Sequence, residues 1–258
     1  MNDTHDALIQ DQFTRQAAGF AAAPELHNEA VHALLREAAA PRAGDHLLDV
    51  ACGPGSVVAA FAPHVAHATG VDATPAMLTQ ARALAHAQGL TNVSWREASA
   101  YALPFTAGSF DIVCSRFAFH HLERIDDAFA EMLRVARPGA RLLLCDGVAD
   151  DDPTRAAAFN AMERFRDPST VEFRPLNTLC ALFVEAGLGA PRVTRFRVPY
   201  RAVDLVAGSF PRNDDRAGLL ALLEDSVAGD KLAMQARREE GEVWLSYAGV
   251  ALVATCPG

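Results

Sequence analysis

From position 46 onward the chain alternates short apolar runs with helical patterns: HLLDV, a helix from Ser56, HATGV, a helix from Pro75, NVSW, FDIVC, a helix from Asp126, then RLLLCD. Neighbouring parallel strands cannot be joined by a tight turn and need a crossover, so this rhythm restricts the chain to β-α-β units. The expected fold class is α/β, a doubly wound and mostly parallel sheet with helices on both faces.

Local signals support these boundaries. Thr74 before Pro75 reads as an N-cap followed by proline at the first helical position, where its missing N–H costs nothing. Phe129, Met132, Leu133 and Ala136 recur at three- and four-residue spacing, and Pro138-Gly139 is expected to stop that helix. The segment from Gly147 to about Arg174 breaks the rhythm and is expected to lie over the sheet as a helical insertion after the fifth strand. A helix ending near Gly187, a strand over Arg192–Val198 and a final apolar run, EVWLSYAGVALVATC, follow; the last is predicted to form edge strands. We expect one domain over 1–258, with a helical cover in 1–40, a ligand-binding core in 45–146, a covering insertion in 147–174 and completion of the sheet in 175–258.

Composition narrows the function. The 258 residues are half hydrophobic, enough for a full core, and 23 Lys+Arg against 32 Asp+Glu give a net charge of −9. A phosphate backbone would meet mostly like charge, so nucleic acid is not expected as a partner. The cysteines Cys52, Cys114, Cys145, Cys180 and Cys256 show neither C-x-x-C nor zinc spacing and read as reduced, mostly buried thiols of a cytoplasmic protein. The acidic N-terminus is not a secretory signal, and no apolar stretch approaches the ~18 residues of a membrane span.

The stretch LLDVACGPGS, residues 47–56, carries the most chemistry. A buried strand ends near Asp49, and a glycine-bearing turn opens a helix at the carboxyl end of the sheet, where ligands of open α/β folds bind. Gly53 and Gly55 let the backbone turn sharply and approach a ligand, while the helix N-terminus favours negative charge. A dinucleotide fits poorly: Val58 replaces the third fingerprint glycine, Pro54 has no N–H for a pyrophosphate, and the Asp49 carboxylate would repel one. A carboxylate beside a helix N-terminus suits a zwitterion. Asp72 ends the next strand; it either accepts both hydroxyls of a ribose or supports the adjacent helix, and its place after the glycine turn favours the ribose.

LLDVACGPG, GVDATPAML, ALPFTAGSFD, SRFAFHH and MLRVARPGARLLLCD, in this order over about residues 45–150, resemble the class I S-adenosylmethionine-dependent methyltransferases of small molecules, including the ubiquinone-menaquinone type. The resemblance implies a Rossmann-like seven-stranded sheet and S-adenosyl-L-methionine as cofactor, with S-adenosyl-L-homocysteine as product. It also implies that Asp49, Ala51, Gly53 and Gly55 hold the methionine part, that Asp72 takes the ribose, and that Ala73 and Met77 line the adenine slot. Ser99 and Ala100 would edge the adenine. The chain departs from the family where Ser99 replaces an acidic residue and Gly139-Ala140 replaces a Gly-Gly turn.

A sulfonium-bound methyl is already activated, so the protein has to align and desolvate the reactants, and a base is needed only for a protonated nucleophile. The candidates are His120 and His121 after the fourth strand. On an extended backbone their side chains diverge, and His121 is favoured as base or positioning residue over His120, with local packing as the alternative. Arg116 either meets the cofactor or substrate carboxylate or simply points outward. Asp146, Asp150, Asp151 and Asp152 could suggest a metal, but Asp152-Pro153 reads as a helix cap and no metal is expected. Phe13 and Phe20 share a helix face, read as packing before lid. Phe159, Arg164, Phe165 and Arg166 are expected to cover a small-molecule substrate. Two other functions remain, a non-catalytic S-adenosylmethionine-binding module and, with less support, an NAD-dependent oxidoreductase, which lacks a Tyr-x-x-x-Lys pair here. Oligomeric state has no readable signal.

Overall fold

The computed structural model describes residues 3–22 and 28–258. Its centre is one sheet whose strands β1 (His46–Val50), β2 (His67–Asp72), β3 (Val93–Glu97), β4 (Phe110–Arg116) and β5 (Ala136–Gly147) are parallel, in the order β3-β2-β1-β4-β5. Antiparallel strands complete it. Strand β8 (Glu242–Thr255) lies between β5 and β6 (Arg192–Arg201), and the short β7 (Arg237–Glu239) pairs with the start of β8. The sheet is thus α/β, mostly parallel, with an antiparallel edge.

Successive strand residues face opposite sides, and each side buries its own core. Leu48, Val50, Val113, Leu142 and Leu252 pack against Phe129 and Met132 of α5 (Ile125–Val135) and Phe183 of α7 (Leu176–Glu185). Leu47, Ile112, Leu143 and Val253 pack against Leu35 of α2 (Glu29–Ala39), Phe61 of α3 (Ser56–Phe61) and Leu78 of α4 (Pro75–Ala87). A third cluster joins Phe159 and Met162 of α6 (Pro153–Arg166), Leu205 of α8 (Ala202–Ala207) and Leu219 and Leu223 of α9 (Arg216–Asp225) beyond the end of β8.

Four expectations change. Eight strands are described instead of seven, the extra one being β7. The final apolar run is one strand, interior rather than edge, consistent with its near-continuous hydrophobicity. Helix α5 stops at Val135, before Pro138-Gly139; Ala136 already pairs with Phe110, and the register then shifts so that Ile112 meets Arg141. Thr74 occupies the N-cap of α4 but its side chain caps nothing.

Trp95 of β3 explains two glycines. A Cβ on Gly55 would lie 2.6 Å from the Trp95 ring and 2.9 Å from Ala81 Cβ, and one on Gly70 would lie 2.6 Å from that ring and 2.8 Å from Cys52 Sγ. Gly55 therefore makes room for packing rather than for a ligand, correcting half of the sequence-based role of the glycine turn. Overpacking of this kind typically costs about 1–3 kcal/mol. Gly70→Ala is accordingly expected to lower the unfolding free energy in urea by about that amount. Gly44→Ala, whose Cβ would have nothing within 4 Å, serves as the control. Equal stability of the two variants would refute the indole wedge.

Candidate active site

Strand order reverses between β1 and β4, with β2 and β3 on one side and β5 on the other. A crevice opens at the carboxyl ends of strands at such a point, because the crossovers leave in opposite directions. Here it deepens into a cavity of about 560 Å³. The turn after β1 forms its floor: Ala51 and Gly53 both hold positive φ, 56° and 52°, and a Cβ on Gly53 would meet nothing within 4 Å. Gly53 is thus the open glycine of the turn. Gly55, at the N-cap of α3, is absent from the cavity wall.

Asp49 sits behind this turn, 1% exposed. Cys114 Sγ donates to its Oδ1 at 3.5 Å, and its Oδ2 has no hydrogen-bond partner. Burial, only partly offset by Cys114 and the nearby Arg116, pushes its carboxyl up to about 7. A buried carboxylate oxygen lacking a partner is costly and calls for a donor from the cavity. Asp72 at the end of β2 is differently placed: Gly53 N donates to its Oδ2 at 2.8 Å and Thr74 N to its Oδ1 at 2.9 Å. It ties the ends of β1 and β2 together while lining the cavity. Burial raises its carboxyl, and these two amides work against that rise.

The other expected cofactor residues lie along the same wall. Ala73, Met77, Ser99 and Ala100 all line the cavity, as does Glu97, which the sequence reading missed although it ends β3 in register with Asp72. Ser99 Oγ accepts from Tyr101 N at 3.2 Å. Arg116, only 8% exposed, reaches the opposite side, donating from Nη1 to Ser56 Oγ at 3.2 Å and lying over the Phe117 ring. The outward-pointing reading of Arg116 is thereby corrected. The thiols of Cys52 and Cys114 are pushed well up by burial, and that of Cys145 to about 12, so these cysteines keep their protons.

Beyond the turn, the backbone after β4 does not stay extended. Phe119–His121 form a 3-10 turn, and the imidazoles of His120 and His121, instead of diverging, lie with ring centroids 4.1 Å apart, both buried and both on the cavity wall. His120 Nδ1 is 2.7 Å from Asp146 Oδ1, its amide donates to Asp146 Oδ2, and its ring stacks on Phe173 at 4.1 Å. His121 Nδ1 is 3.1 Å from Ser169 Oγ, which donates to Asp167 Oδ1; Gln16 Nε2 donates to Asp167 Oδ2. Burial and the neighbouring His120 hold His121 well below its usual range. Phe13 of α1 (Asp3–Ala22) meets the His121 ring edge-on at 4.8 Å, while the Phe20 side chain lies outside the described residues.

The far wall combines Phe117, Phe173, Val198, Tyr200, Leu205 and Tyr247. Of the four residues expected to cover a substrate, Arg166 lines the cavity; Phe159 joins the third core, Phe165 packs against it and Arg164 donates to Val171 O at the surface. Asp146 was visible in sequence only as one of several aspartates. Its position at the end of β5, next to β4, could have paired it with the histidines. Nothing in the sequence marked Gln16, Asp167 or Ser169. Asp152 caps α6 by accepting from Thr154 N and Arg155 N, and Asp150 pairs with Arg155. Among the described residues no group of three or more His, Cys, Asp or Glu could hold a metal ion, and no helix is long and apolar enough to cross a membrane.

Comparisons with known proteins agree with this geometry. The family described as a methyltransferase domain matches residues 48–144. The uncharacterised methyltransferase YcgJ of Bacillus subtilis is 35% identical over 166 residues, 64% of this chain and 66% of that protein. The ubiquinone/menaquinone biosynthesis C-methyltransferase UbiE of Dinoroseobacter shibae is 36% identical over 151 residues, 56% of this chain and 60% of that protein. The matched stretch thus spans just under two thirds of these curated relatives. In structure, YcgJ superposes with a TM-score of 0.81 at 26% identity, covering 90% of this chain and all of that one. A putative methyltransferase from Bacillus halodurans gives 0.81 at 26%, covering 88% and 99%. With the glycine turn, the two strand-end carboxylates and the strand order all in place, residues 48–144 form a methyltransferase domain of the class I S-adenosylmethionine-dependent kind.

Proposed function

We propose that the protein transfers a methyl group from S-adenosylmethionine to a small organic acceptor, at oxygen, nitrogen or an activated carbon. The unpaired Oδ2 of Asp49 behind the open Gly53 turn carries the reading. A zwitterionic amino acid end fits there: Asp49 accepts from an ammonium group, and the amides opening α3 face a carboxylate. Ala51 and Gly53 let the backbone approach, Asp72 has lone pairs left for ribose hydroxyls, and Ala73, Met77, Ser99 and Ala100 flank the adenine. Gly55 supports the turn from behind, and Arg116 adds a buried positive charge beside Ser56.

The cofactor supplies the activated methyl; the chain's part is to align the acceptor with it and keep water out. The aromatic wall of Phe117, Phe173, Tyr200 and Tyr247 does both. An apolar chamber suits a compact organic molecule, and the net charge of −9 disfavours a polyanion. A nicotinamide dinucleotide is disfavoured by Pro54 on the cavity wall and by Asp49 where a pyrophosphate would need donors. A non-catalytic binding module would leave the acceptor chamber without a purpose. We place the protein in the cytoplasm on its reduced, mostly buried cysteines.

Calorimetric titration with S-adenosylmethionine, S-adenosylhomocysteine and, separately, NADH tests this reading. Wild type is expected to bind the first two in the micromolar range. Asp72→Ala is expected to weaken binding ten- to a hundredfold, about 1.4–2.8 kcal/mol. Binding of NADH alone, or of none of the three, would sink the proposal.

Asp49 provides a second, pH-dependent test. Its folded pKa, about 7, lies above the ordinary 3.8, so its contribution to stability is complete below about pH 4 and is lost as pH rises through 7. The loss is on the order of a few kcal/mol. Asp49→Asn is expected to flatten this slope, making the ligand-free variant more resistant to urea than wild type at pH 8 while binding S-adenosylmethionine at least tenfold more weakly. A variant that binds normally would remove Asp49 from the ammonium site.

A further inference from the structure

The two histidines are chemically unequal, and hydrogen-bond accounting shows how. Asp146 is fully buried and accepts from His120 N, Gly147 N and His120 Nδ1. As a carboxylate it has no proton to give, so His120 must carry its proton on Nδ1. Ser169 has a single hydroxyl proton, which it donates to Asp167 Oδ1 across 2.5 Å between the oxygens, and this leaves Oγ to accept from His121 Nδ1 at 3.1 Å. Both rings are therefore Nδ1–H tautomers. Neither Nε2 bonds to a described residue, and neither is among the sealed, unpaired polar atoms, so both open on the cavity.

The backing of each ring differs. A proton arriving at His120 Nε2 makes an imidazolium in direct contact with the Asp146 carboxylate, whereas the same proton on His121 would be backed by a neutral hydroxyl. With centroids 4.1 Å apart, two imidazolium rings would repel, so one proton is the most the pair holds. The other charged or titratable groups around the pair are Asp167, Arg166 and Arg174 from the α6–α7 connection and its flanks, and His5 of α1, whose Nε2 is 2.9 Å from His121 O. Backbone contacts fix the geometry: Val171 N and Glu172 N both donate to His120 O, and Arg174 donates to Phe119 O and Leu122 O.

We propose that His120, positioned by Asp146, is the general base of the site, and that His121 stays neutral and orients the acceptor through its Nε2. The acceptor class is one that arrives protonated, an O–H or N–H compound, rather than a thiolate or carboxylate. As the new bond forms between the acceptor atom and the methyl carbon, the carbon–sulfur bond breaks with its electron pair left on sulfur, and the O–H or N–H proton passes to His120 Nε2. The imidazolium later releases it to solvent. This rests on the methyltransferase reading and reverses the preference for His121 drawn from sequence.

Histidine-15N NMR of the wild-type protein saturated with S-adenosylhomocysteine, followed from pH 9 to pH 5 and assigned with His120→Gln and His121→Gln, tests the division of roles. Both neutral rings are expected to carry Nδ1–H, and His121, held down by burial and by His120, is expected to remain neutral throughout. A neutral His120 with Nε2–H, or protonation of His121 first, would overturn the proposal. In parallel, transfer of labelled methyl to phenol, benzylamine and benzenethiol is measured at pH 8. His120→Gln and Asp146→Asn are expected to slow transfer to phenol or benzylamine by roughly a hundredfold or more in kcat, with little change in KM. Transfer to benzenethiol, which ionises unaided, should hardly change. Equal slowing of all three would show a structural role only. A protein that fails to bind S-adenosylhomocysteine at all would refute the methyltransferase reading, while the order of histidine protonation in the ligand-free protein would still decide the roles of the pair.

Discussion

Crossovers leave the β1/β4 junction in opposite directions, and no helix can cover the carboxyl ends of both strands at once. The remaining features of the site follow from that gap. It exposes the turn after β1, the end of β2 with Asp72 and the 3-10 turn after β4 to one cavity. Two non-glycine residues at its rim, Ala51 and Phe117, hold φ of 56° and 52°, in a region that L residues avoid. Both follow the end of a strand directly, where the backbone leaves the sheet and turns into the cavity wall.

Three of the buried carboxylates in or behind the cavity wall are handled in three ways. Glu163 is matched by Arg166, whose Nε and Nη2 both donate to it, and by the Tyr247 hydroxyl. Asp146 is satisfied by two amides and an imidazole. Asp49 has a thiol on one oxygen and nothing on the other. A fold can tolerate one such deficit when a ligand relieves it, because the stability lost in the free protein returns as binding free energy. The three do different work: Glu163 fixes Arg166 and Tyr247 of the cavity wall, Asp146 holds a histidine, and Asp49 keeps one oxygen without a partner.

The parallel half of the fold was legible because its signals are local. HLLDV, HATGV and FDIVC are apolar runs that declare themselves, and the Gly53 turn and Asp72 sit at fixed distances from them. What escaped depends on partners far away in sequence. Gly55 looks like a ligand glycine until Trp95, forty residues on, is seen against it. Adjacent His120 and His121 would diverge on a strand; a 3-10 turn brings their rings together, and apolar spacing does not foretell a turn of three residues. Asp167 and Ser169 reach His121 across 48 residues or so, and Gln16 reaches Asp167 across 151. The interior place of β8 likewise needed the pairing of both its edges to be known.

This division between local and distant signals also divides the site by function. The wall proposed for the cofactor comes from residues 49–116, inside the stretch of 48–144 that matches the methyltransferase family. The wall proposed for the acceptor takes Phe117, His120 and His121 from inside that stretch and Phe13 of α1, Arg166, Asp167, Phe173, Tyr200 of β6 and Tyr247 of β8 from outside it. Apart from β8, which pairs with β5, the outside elements make no strand pairing with the parallel core, so they can change without disturbing the turn after β1. Asp146 is the hinge between the two halves. It lies just beyond the matched stretch, at the end of a core strand, and its carboxylate holds the histidine that stacks on Phe173 of the chamber. A histidine held from the core side by Asp146 keeps its aim while the opposite wall varies.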